Sequence, residues 1–259
     1  MKNGVIIWGL MMSFVFGQMT GRQIMEKVDA WPEPKSMVAK TTMTLISIKR
    51  GREKKRVREI TRYQRNFDKG KFKSKSLIRF LKPTDVKGTG FLMWEYRESN
   101  KNDDQWLFLP ALGKVKRIAA REKSENFMGS DFTYEDIGGR KLDDDEYELL
   151  GEEEVNGVNC YKVQAIPKRK DTAYNKRIIW VDKNWFVMTK VQFYDKNNRL
   201  LKVLDFLKQR LDGNYWSVIK MKMKNVQTEH KTIMEMSEYE YDTGIRDNFF
   251  TKRFLQRVK

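Results

Sequence analysis

The sequence is poor in the side chains on which most catalytic and metal sites depend. Its 259 residues include one cysteine, Cys160, and one histidine, His230. A lone cysteine cannot close an internal disulfide bond, and thiol catalysis or a zinc site would need partners that two residues cannot supply. No serine stands in a Gly-x-Ser-x-Gly turn, and no glycine-rich phosphate loop precedes a helix. These absences favour a protein that is not an enzyme and that holds no metal or cofactor.

The apolar run at the N-terminus is too short to be a membrane-spanning helix. It covers Val5–Phe16, follows Lys2, and is followed by Gly17 and polar sequence. This arrangement is typical of a secretory signal peptide. We therefore expect residues 1–17 to be removed by cleavage near Gly17 and the rest of the chain to be exported. A buried N-terminal helix or strand is the alternative.

Positive charge dominates, because 52 Lys and Arg residues outnumber 35 Asp and Glu residues and give a net charge of +17. Such a surplus suits nucleic acid, an anionic membrane or an acidic partner, although basic residues on the solvent faces of strands produce the same excess. Motifs for nucleic-acid recognition are absent, so no nucleic-acid partner is expected. The basic run 50–58 lies between two strand patterns and is typical of an exposed hairpin tip. The acidic clusters 143–146 and 152–154 lack calcium-loop spacing and are expected to be exposed turns.

Residue periodicity predicts a mainly β protein with few helices. The capping-box spacing of Thr20 and Gln23 predicts a short helix over 20–31, and two more short helices are expected near 131–137 and 247–256. From Met37 onward, apolar residues recur with a period of two, and turn signals separate about eleven or twelve strands. This succession predicts an antiparallel meander that curls towards a barrel or sandwich. The expected strands cover 39–48, 56–63, 76–81, 90–96, 105–109, 147–150, 161–166, 177–181, 187–194, 200–207, 219–224 and 233–241.

Some of these strands, such as 90–96 and 200–207, carry apolar residues on both faces. In an antiparallel sheet with one solvated face, the residues on that face should be polar. Either helices cover the second face, or it lines an internal cavity for an apolar ligand. Three short helices could hardly cover so wide a sheet, which favours a cavity. Methionines in or beside the strands point the same way because flexible thioethers adapt to variable apolar contents, although ordinary core filling explains them equally well.

Five stretches, in this order along the chain, resemble the LolA/LolB-like superfamily of bacterial outer-membrane lipoprotein-sorting proteins. Together with the signal peptide and the early helix, they are most similar to its longer branch, which is associated with transporters of the resistance-nodulation-division type. The stretches are Arg79–Pro83 (RFLKP), Lys87–Leu92 (KGTGFL), Asp104–Leu112 (DQWLFLPAL), Lys116–Ile118 (KRI) and Phe127–Asp136 (FMGSDFTYED).

The resemblance implies a periplasmic protein in which 18–259 form one domain, a curved, unclosed antiparallel half-barrel with short helices over its concave apolar face. It implies that the protein carries the acyl chains of a lipoprotein or a free lipid between the inner and outer membranes, without a reaction. The implied partner is an inner-membrane transporter of the resistance-nodulation-division type, and transient membrane contact is expected. The alternatives are an exported binding module for polyanions such as lipopolysaccharide, and a transporter scaffold without a ligand.

The candidate cavity lining consists of apolar residues on well-patterned strands, together with two phenylalanines. The pattern leaves open which face of the sheet is concave. The expected lining residues are Leu92, Trp94, Leu107, Leu109, Phe127, Phe132, Ile179, Met188, Met221, Met223, Met234 and Met236.

The stretch FMGSDFTYEDIGG, Phe127–Gly139, is interpreted as a latch across the cavity mouth. Ser130 or Asp131 is expected to cap a helix of about two turns that ends at Gly138 and Gly139, with Phe127 and Phe132 facing the ligand. Glu135 and Asp136 would then lie near the negative end of the helix dipole and require cationic partners. The nearest candidates for these partners are Arg117, Arg121 and Arg140. The latch residues are accordingly Asp131, Asp136, Arg117 and Arg121.

Overall fold

The computed structural model describes residues 18–99 and 101–257, so the predicted signal peptide, 1–17, lies outside the described residues. Thirteen strands form one antiparallel sheet. The strands are β1 (Ser36–Lys49), β2 (Arg52–Asn66), β3 (Phe72–Lys82), β4 (Gly90–Tyr96), β5 (Asp104–Leu109), β6 (Lys114–Arg117), β7 (Asp145–Val155), β8 (Val158–Pro167), β9 (Lys176–Asp182), β10 (Met188–Tyr194), β11 (Leu200–Asp212), β12 (Tyr215–Asn225) and β13 (Lys231–Tyr241).

The strand order is β6-β5-β4-β3-β2-β1-β13-β12-β11-β10-β9-β8-β7. Two meanders therefore join through the pairing of β1 with β13, while β6 and β7 form the two edges. The sheet does not close, and the predicted mainly β, open half-barrel is confirmed. The strand that the sequence pattern missed is β6, because its four residues, KVKR, show no apolar alternation.

Because β6 and β7 are consecutive in the chain but lie at opposite edges, the connection between them must cross the sheet. We call residues 118–144 the crossing segment. Phe127, Phe132 and Tyr134 of this segment are buried in the main hydrophobic core, which lies against the inner face of the sheet. The crossing segment contains the helix α2 (Tyr134–Gly138). It thus covers the concave face, as the sequence predicts for this stretch.

The N-terminal helix α1 (Gly21–Asp29) lies against β7 and β8. Its predicted capping box is confirmed, because Gln23 N donates to Thr20 Oγ1 at 3.2 Å and Thr20 N donates to Gln23 Oε1 at 2.9 Å. Gly21 allows the close approach to β7, since a Cβ atom there would lie 2.7 Å from the backbone carbon of Glu148. The buried Ile24 and Met25 attach this helix to the main core.

The C-terminal helix α3 (Lys252–Leu255) covers the outer face of the sheet rather than the concave one. Its Leu255 and the preceding Phe250 are fully buried against β3, β4 and β5. This second hydrophobic cluster accounts for strands in the first meander that are apolar on both faces. The residues contributed by the sheet are Leu77, Leu92, Trp106 and Phe108.

Candidate ligand-binding site

Two cavities lie between the inner face of the sheet and the segments that cover it. The first cavity, of about 510 Å³, lies among α1, the crossing segment and strands of the second meander. The second cavity, of about 230 Å³, lies between the crossing segment and strands β1–β3, β12 and β13. Phe132 and Asp136 line both cavities, so the crossing segment stands between them.

Eight of the twelve predicted lining residues lie on the walls of these cavities. The methionines of β10, β12 and β13 are among them, which agrees with their proposed use as adaptable apolar contacts. Ile179, Met188 and Met223 line the first cavity, Phe127, Met221, Met234 and Met236 line the second, and Phe132 lines both.

The other four predicted lining residues require a correction. Leu92 and Trp94 lie on the outer face of β4, where Trp94 Nε1 donates to the carbonyl oxygen of Phe250 at 2.9 Å. Leu107 and Leu109 belong to the main core but line neither cavity. The face of β4 could not be assigned from its pattern, because both of its faces are apolar and the covering segment comes from the distant C-terminus.

A buried ion pair fixes the crossing segment to β11. Lys202 Nζ lies 2.5 Å from Asp136 Oδ2 and donates to the carbonyl oxygen of Asp131 at 2.9 Å, and Lys202 is 2% exposed. Tyr174 adds a third contact, since its hydroxyl donates to Asp136 Oδ1 at 2.9 Å. Burial, together with the Asp136 charge, holds the pKa of Tyr174 well above its usual range, so the phenol stays a donor. Asp136 therefore has a cationic partner, but not one of those predicted.

A second set of contacts attaches the crossing segment to β13. The buried Asp131 accepts from Thr232 Oγ1 at 2.6 Å and lies 2.7 Å from Nδ1 of His230. Its backbone N–H donates to the same Thr232 hydroxyl oxygen at 3.0 Å. The one histidine of the sequence thus contacts the crossing segment, in a position that the sequence pattern did not indicate.

Of the three arginines predicted as cationic partners, only Arg140 pairs with an acid of α2 among the described residues. Arg140 lies 2.6 Å from Glu135 Oε1 and also 2.6 Å from Asp145 Oδ1. Arg117 is wrong as a latch partner, because it pairs with Asp104 of β5 and is 71% exposed. Arg121 is an exposed residue of a 3-10 turn whose side chain makes no ion pair with α2 in the part of the chain that the structure describes.

The predicted position of the acids on the helix dipole is also wrong. Thr133, rather than Ser130 or Asp131, caps α2, and its hydroxyl accepts from Asp136 N at 3.1 Å. Asp136 Oδ2 accepts in return from Thr133 N at 2.7 Å, which completes a capping box. Glu135 and Asp136 therefore lie in the first turn, where the helix dipole favours acids. The predicted end at Gly138 and Gly139 is confirmed, and Gly139 has φ of 76°.

Three tryptophans meet beside the first cavity. Trp31 and Trp216 line it, with ring centroids 5.5 Å apart. Trp185 stacks on Trp216 at 5.6 Å, and its carbonyl oxygen accepts from Trp31 Nε1 at 2.8 Å. Trp185 is 49% exposed, so this tryptophan rim connects the cavity wall to the surface. The sequence pattern did not indicate the rim, because its members come from the loop after α1, the turn between β9 and β10, and strand β12.

Neither a metal site nor a membrane-spanning helix is present in 18–99 and 101–257. No group of three or more His, Cys, Asp or Glu side chains there could hold a metal ion. No helix of these ranges is long and apolar enough to cross a membrane. Cys160 is buried, and burial raises the pKa of its thiol, which disfavours the reactive thiolate.

Solved structures of LolA-superfamily proteins share the fold of this open half-barrel. A domain from Vibrio parahaemolyticus, described as an outer membrane lipoprotein-sorting protein domain, is 33% identical with a TM-score of 0.85, over 92% of this chain and 98% of that one. A DUF1329 family protein from Desulfovibrio piger is also 33% identical, with a TM-score of 0.84, over 91% and 97% of the two chains. A LolA superfamily protein from Nitrosomonas europaea shares the fold at 17% identity and a TM-score of 0.70, over 92% and 100%.

A family model described as "uncharacterized protein" matches residues 73–257, while no curated protein matches the chain. The two relatives at 33% identity cover nearly the whole chain. The chain therefore belongs to their family, the LolA-like outer membrane lipoprotein-sorting and DUF1329 proteins. The resemblance noted in the sequence is confirmed.

Proposed function

We propose that this protein is a non-catalytic carrier that binds acyl chains of a lipid or lipoprotein in its cavities and moves them between membranes. The observation that carries the proposal is the pair of apolar cavities separated by a crossing segment that buried polar contacts hold in place. The description of the Vibrio parahaemolyticus relative as a lipoprotein-sorting domain supports the same reading.

The energetics of acyl transfer explain why a carrier needs such cavities. Each CH₂ group exposed to water costs about 0.8 kcal/mol, so a free acyl chain does not leave a bilayer readily. A carrier must bury the chain and still release it. Apolar walls rich in methionine bury the chain. Polar contacts such as that of Asp131 with Thr232 hold the crossing segment in place, and these contacts can break and re-form when the chain is released.

The proposal extends to the location and partners of the protein. Residues 1–17 act as a signal peptide, 18–259 form a single carrier domain, and the carrier works in the periplasm. An inner-membrane transporter of the resistance-nodulation-division type supplies or receives the cargo, as the resemblance of the sequence suggests. The surplus positive charge favours contact with anionic head groups at either membrane.

The tryptophan rim supports transient contact with an anionic membrane. Tryptophan prefers the interface of a bilayer, where its ring is buried and its N–H remains close to water. The exposed Leu211, which is the strand partner of Trp216, adds apolar surface, and the exposed Lys208 on the same strand adds positive charge. A cavity that opens beside such a surface can take up a chain without exposing it to water.

Binding of an apolar ligand can be tested with the purified protein and two matched variants. Organic extracts analysed by mass spectrometry should contain acyl species above the level of a control protein. Met188→Glu, on the wall of the first cavity, should lower the affinity for a fluorescent fatty acid at least about tenfold, because the ligand must then desolvate a carboxylate. Val57→Glu, at a residue that is 52% exposed on β2, should bind like the wild type.

Other results of these experiments would contradict the carrier proposal. Clean extracts and no uptake of the fluorescent fatty acid by the wild type would overturn the carrier proposal. Strong, salt-dependent binding of lipopolysaccharide without acyl uptake would instead favour the polyanion-binding alternative. Circular dichroism of Met188→Glu must show the β content of the wild type, since loss of the fold would also abolish uptake.

A further inference from the structure

Arg62 places a positive charge on the wall of the second cavity. It lies on β2 in register with Ala39 of β1 and Ile78 of β3, and both of these neighbours line the same cavity. The remaining wall is largely apolar and includes Met221 and Met234. A guanidinium in these surroundings loses much of its hydration, and it must regain interactions from the protein or from a ligand.

The protein itself offers Arg62 few partners. Its Nη2 donates to the neutral Gln64 Oε1 at 2.9 Å, whereas its Nε is buried and has no hydrogen-bond partner among the described residues. No carboxylate in 18–99 or 101–257 forms an ion pair with it within 4.0 Å. Burial lowers the pKa of Arg62, and the charges of Glu95 and Glu33 offset this only in part. Because arginine stays protonated in proteins, the cavity wall carries a positive charge without an ion-pair partner among the described residues.

Two other cations inside the half-barrel are paired with carboxylates of the protein. Lys202 pairs with Asp136 at 2.5 Å, and Arg140 pairs with Glu135 at 2.6 Å. Arg58, also on β2, donates to the carbonyl oxygen of Met128 in the crossing segment and does not line the second cavity. Arg62 is half-buried, and a desolvated charge left without a partner destabilises the fold. The position of Arg62 on the wall of an apolar cavity therefore points to a partner from outside the chain.

We propose that the second cavity binds an amphiphile with one anionic group, and that Arg62 pairs with this group. A carboxylate or a phosphate fits the guanidinium, whose fork of N–H donors can bind two oxygens of one group. The acyl chain would lie along Met221, Met234 and Met236. This inference rests on the proposed function, and it adds a head-group site to the apolar cavity.

The other polar groups on this wall do not cancel the charge. Asp136 lines the cavity too, but its carboxylate is already paired with Lys202 and bonded to Tyr174. The hydroxyl of Tyr239 donates to the carbonyl oxygen of Val218 at 2.6 Å. Burial raises the pKa of Tyr239 to about 12, so this phenol stays neutral. Arg62 is thus the group on the wall of the second cavity to which an anion can bind.

The experiment compares an acid with its neutral ester. A neutral fluorescent acyl probe is displaced by three competitors: palmitate, methyl palmitate and lysophosphatidic acid. The proteins compared are the wild type, Arg62→Met, Arg62→Lys and a control. The control is Arg56→Met, which removes an exposed arginine of the same strand. The wild type should bind palmitate roughly 10- to 100-fold more tightly than methyl palmitate, which corresponds to one hydrogen-bonded charge pair. The ratio should fall to about one in Arg62→Met, recover in part in Arg62→Lys, and stay unchanged in Arg56→Met.

Each outcome decides a separate point. Equal affinity of the wild type for palmitate and methyl palmitate would overturn the head-group site and leave the carrier function intact. Binding of neither would overturn the carrier function itself. If circular dichroism shows that Arg62→Met has lost its β structure, the inference is decided by two other results. These are the ratio of palmitate to methyl palmitate affinity in the wild type and the same ratio in Arg62→Lys. Tighter binding of lysophosphatidic acid than of palmitate assigns the natural group as a phosphate, and the reverse order assigns it as a carboxylate.

Discussion

At the scale of single residues, buried charge positions the crossing segment. Lys202 and Asp136 face each other in the interior, and Asp136 at the same time caps α2 and accepts from Tyr174. A buried ion pair is weak support for stability, because desolvation offsets much of its attraction. Its main effect is to fix the position of the crossing segment, since removal of either charge leaves the other buried without a partner. The pair therefore defines where the crossing segment can lie.

Replacement of Lys202 by methionine tests this pair. Lys202→Met should lower the free energy of unfolding by about 3 to 5 kcal/mol, because Asp136 then stays buried without its cation. Adding Asp136→Asn should recover most of this loss, since the amide is neutral and its oxygen can still cap α2. Urea denaturation of both single variants and the double variant gives the coupling energy. Additive losses would show that the two charges do not interact.

The sequence contained one signal for Lys202, but not for its partner. Lys202 shares a strand face with Leu204 and Phe206, which line the first cavity, and a lysine on an apolar face is unusual. Asp136 lies 66 residues away in the chain, and no local pattern specifies contacts of this separation. Proximity in sequence pointed instead to Arg117 and Arg121, which form no ion pair with α2 in the described residues.

At the scale of elements, strand order explains the crossing segment. Consecutive strands β6 and β7 occupy opposite edges, so their connection has to pass over the concave face. Apolar alternation predicted nearly all of the strands, because inward and outward residues differ along most of them. The same alternation could not orient β4, whose outer face is buried under α3, nor locate the start of α2, where several residues could serve as caps.

The hydrogen bonds of Thr232 on β13 offer the most selective way to loosen the crossing segment. Thr232→Val removes both hydrogen bonds to Asp131 with little change in volume, while the Lys202 pair remains. Amide hydrogen exchange in 127–138 should become several-fold faster, and bound fluorescent fatty acid should dissociate faster. Thr42→Val on β1, at a half-buried threonine, serves as the control.

Faster exchange throughout the sheet of Thr232→Val would contradict the local role of Thr232. In that case, the hydroxyl would support the whole fold rather than the attachment of one segment. Unchanged exchange within 127–138, with ligand release at the wild-type rate, would show that the crossing segment does not depend on this contact.

At the scale of the whole molecule, the two cavities have different surroundings. The first opens beside the tryptophan rim, whereas the second lies deeper under the crossing segment and carries the charge of Arg62. A chain that enters at a membrane would reach the first cavity through the rim. Under the two proposals, membrane contact would therefore occur at the first cavity and an anionic head group would be held at the second.

Membrane contact through the rim can be measured with vesicles. Trp185→Ala should weaken binding to vesicles rich in anionic phospholipid several-fold, because the exposed indole no longer enters the interface. Leu112→Ala, at a residue that is 65% exposed between β5 and β6, should bind like the wild type. Higher salt should weaken binding of all three proteins, since the basic residues contribute by charge. Equal binding of Trp185→Ala and the wild type at every salt concentration would place the membrane contact elsewhere on the surface, because charge alone would then account for it.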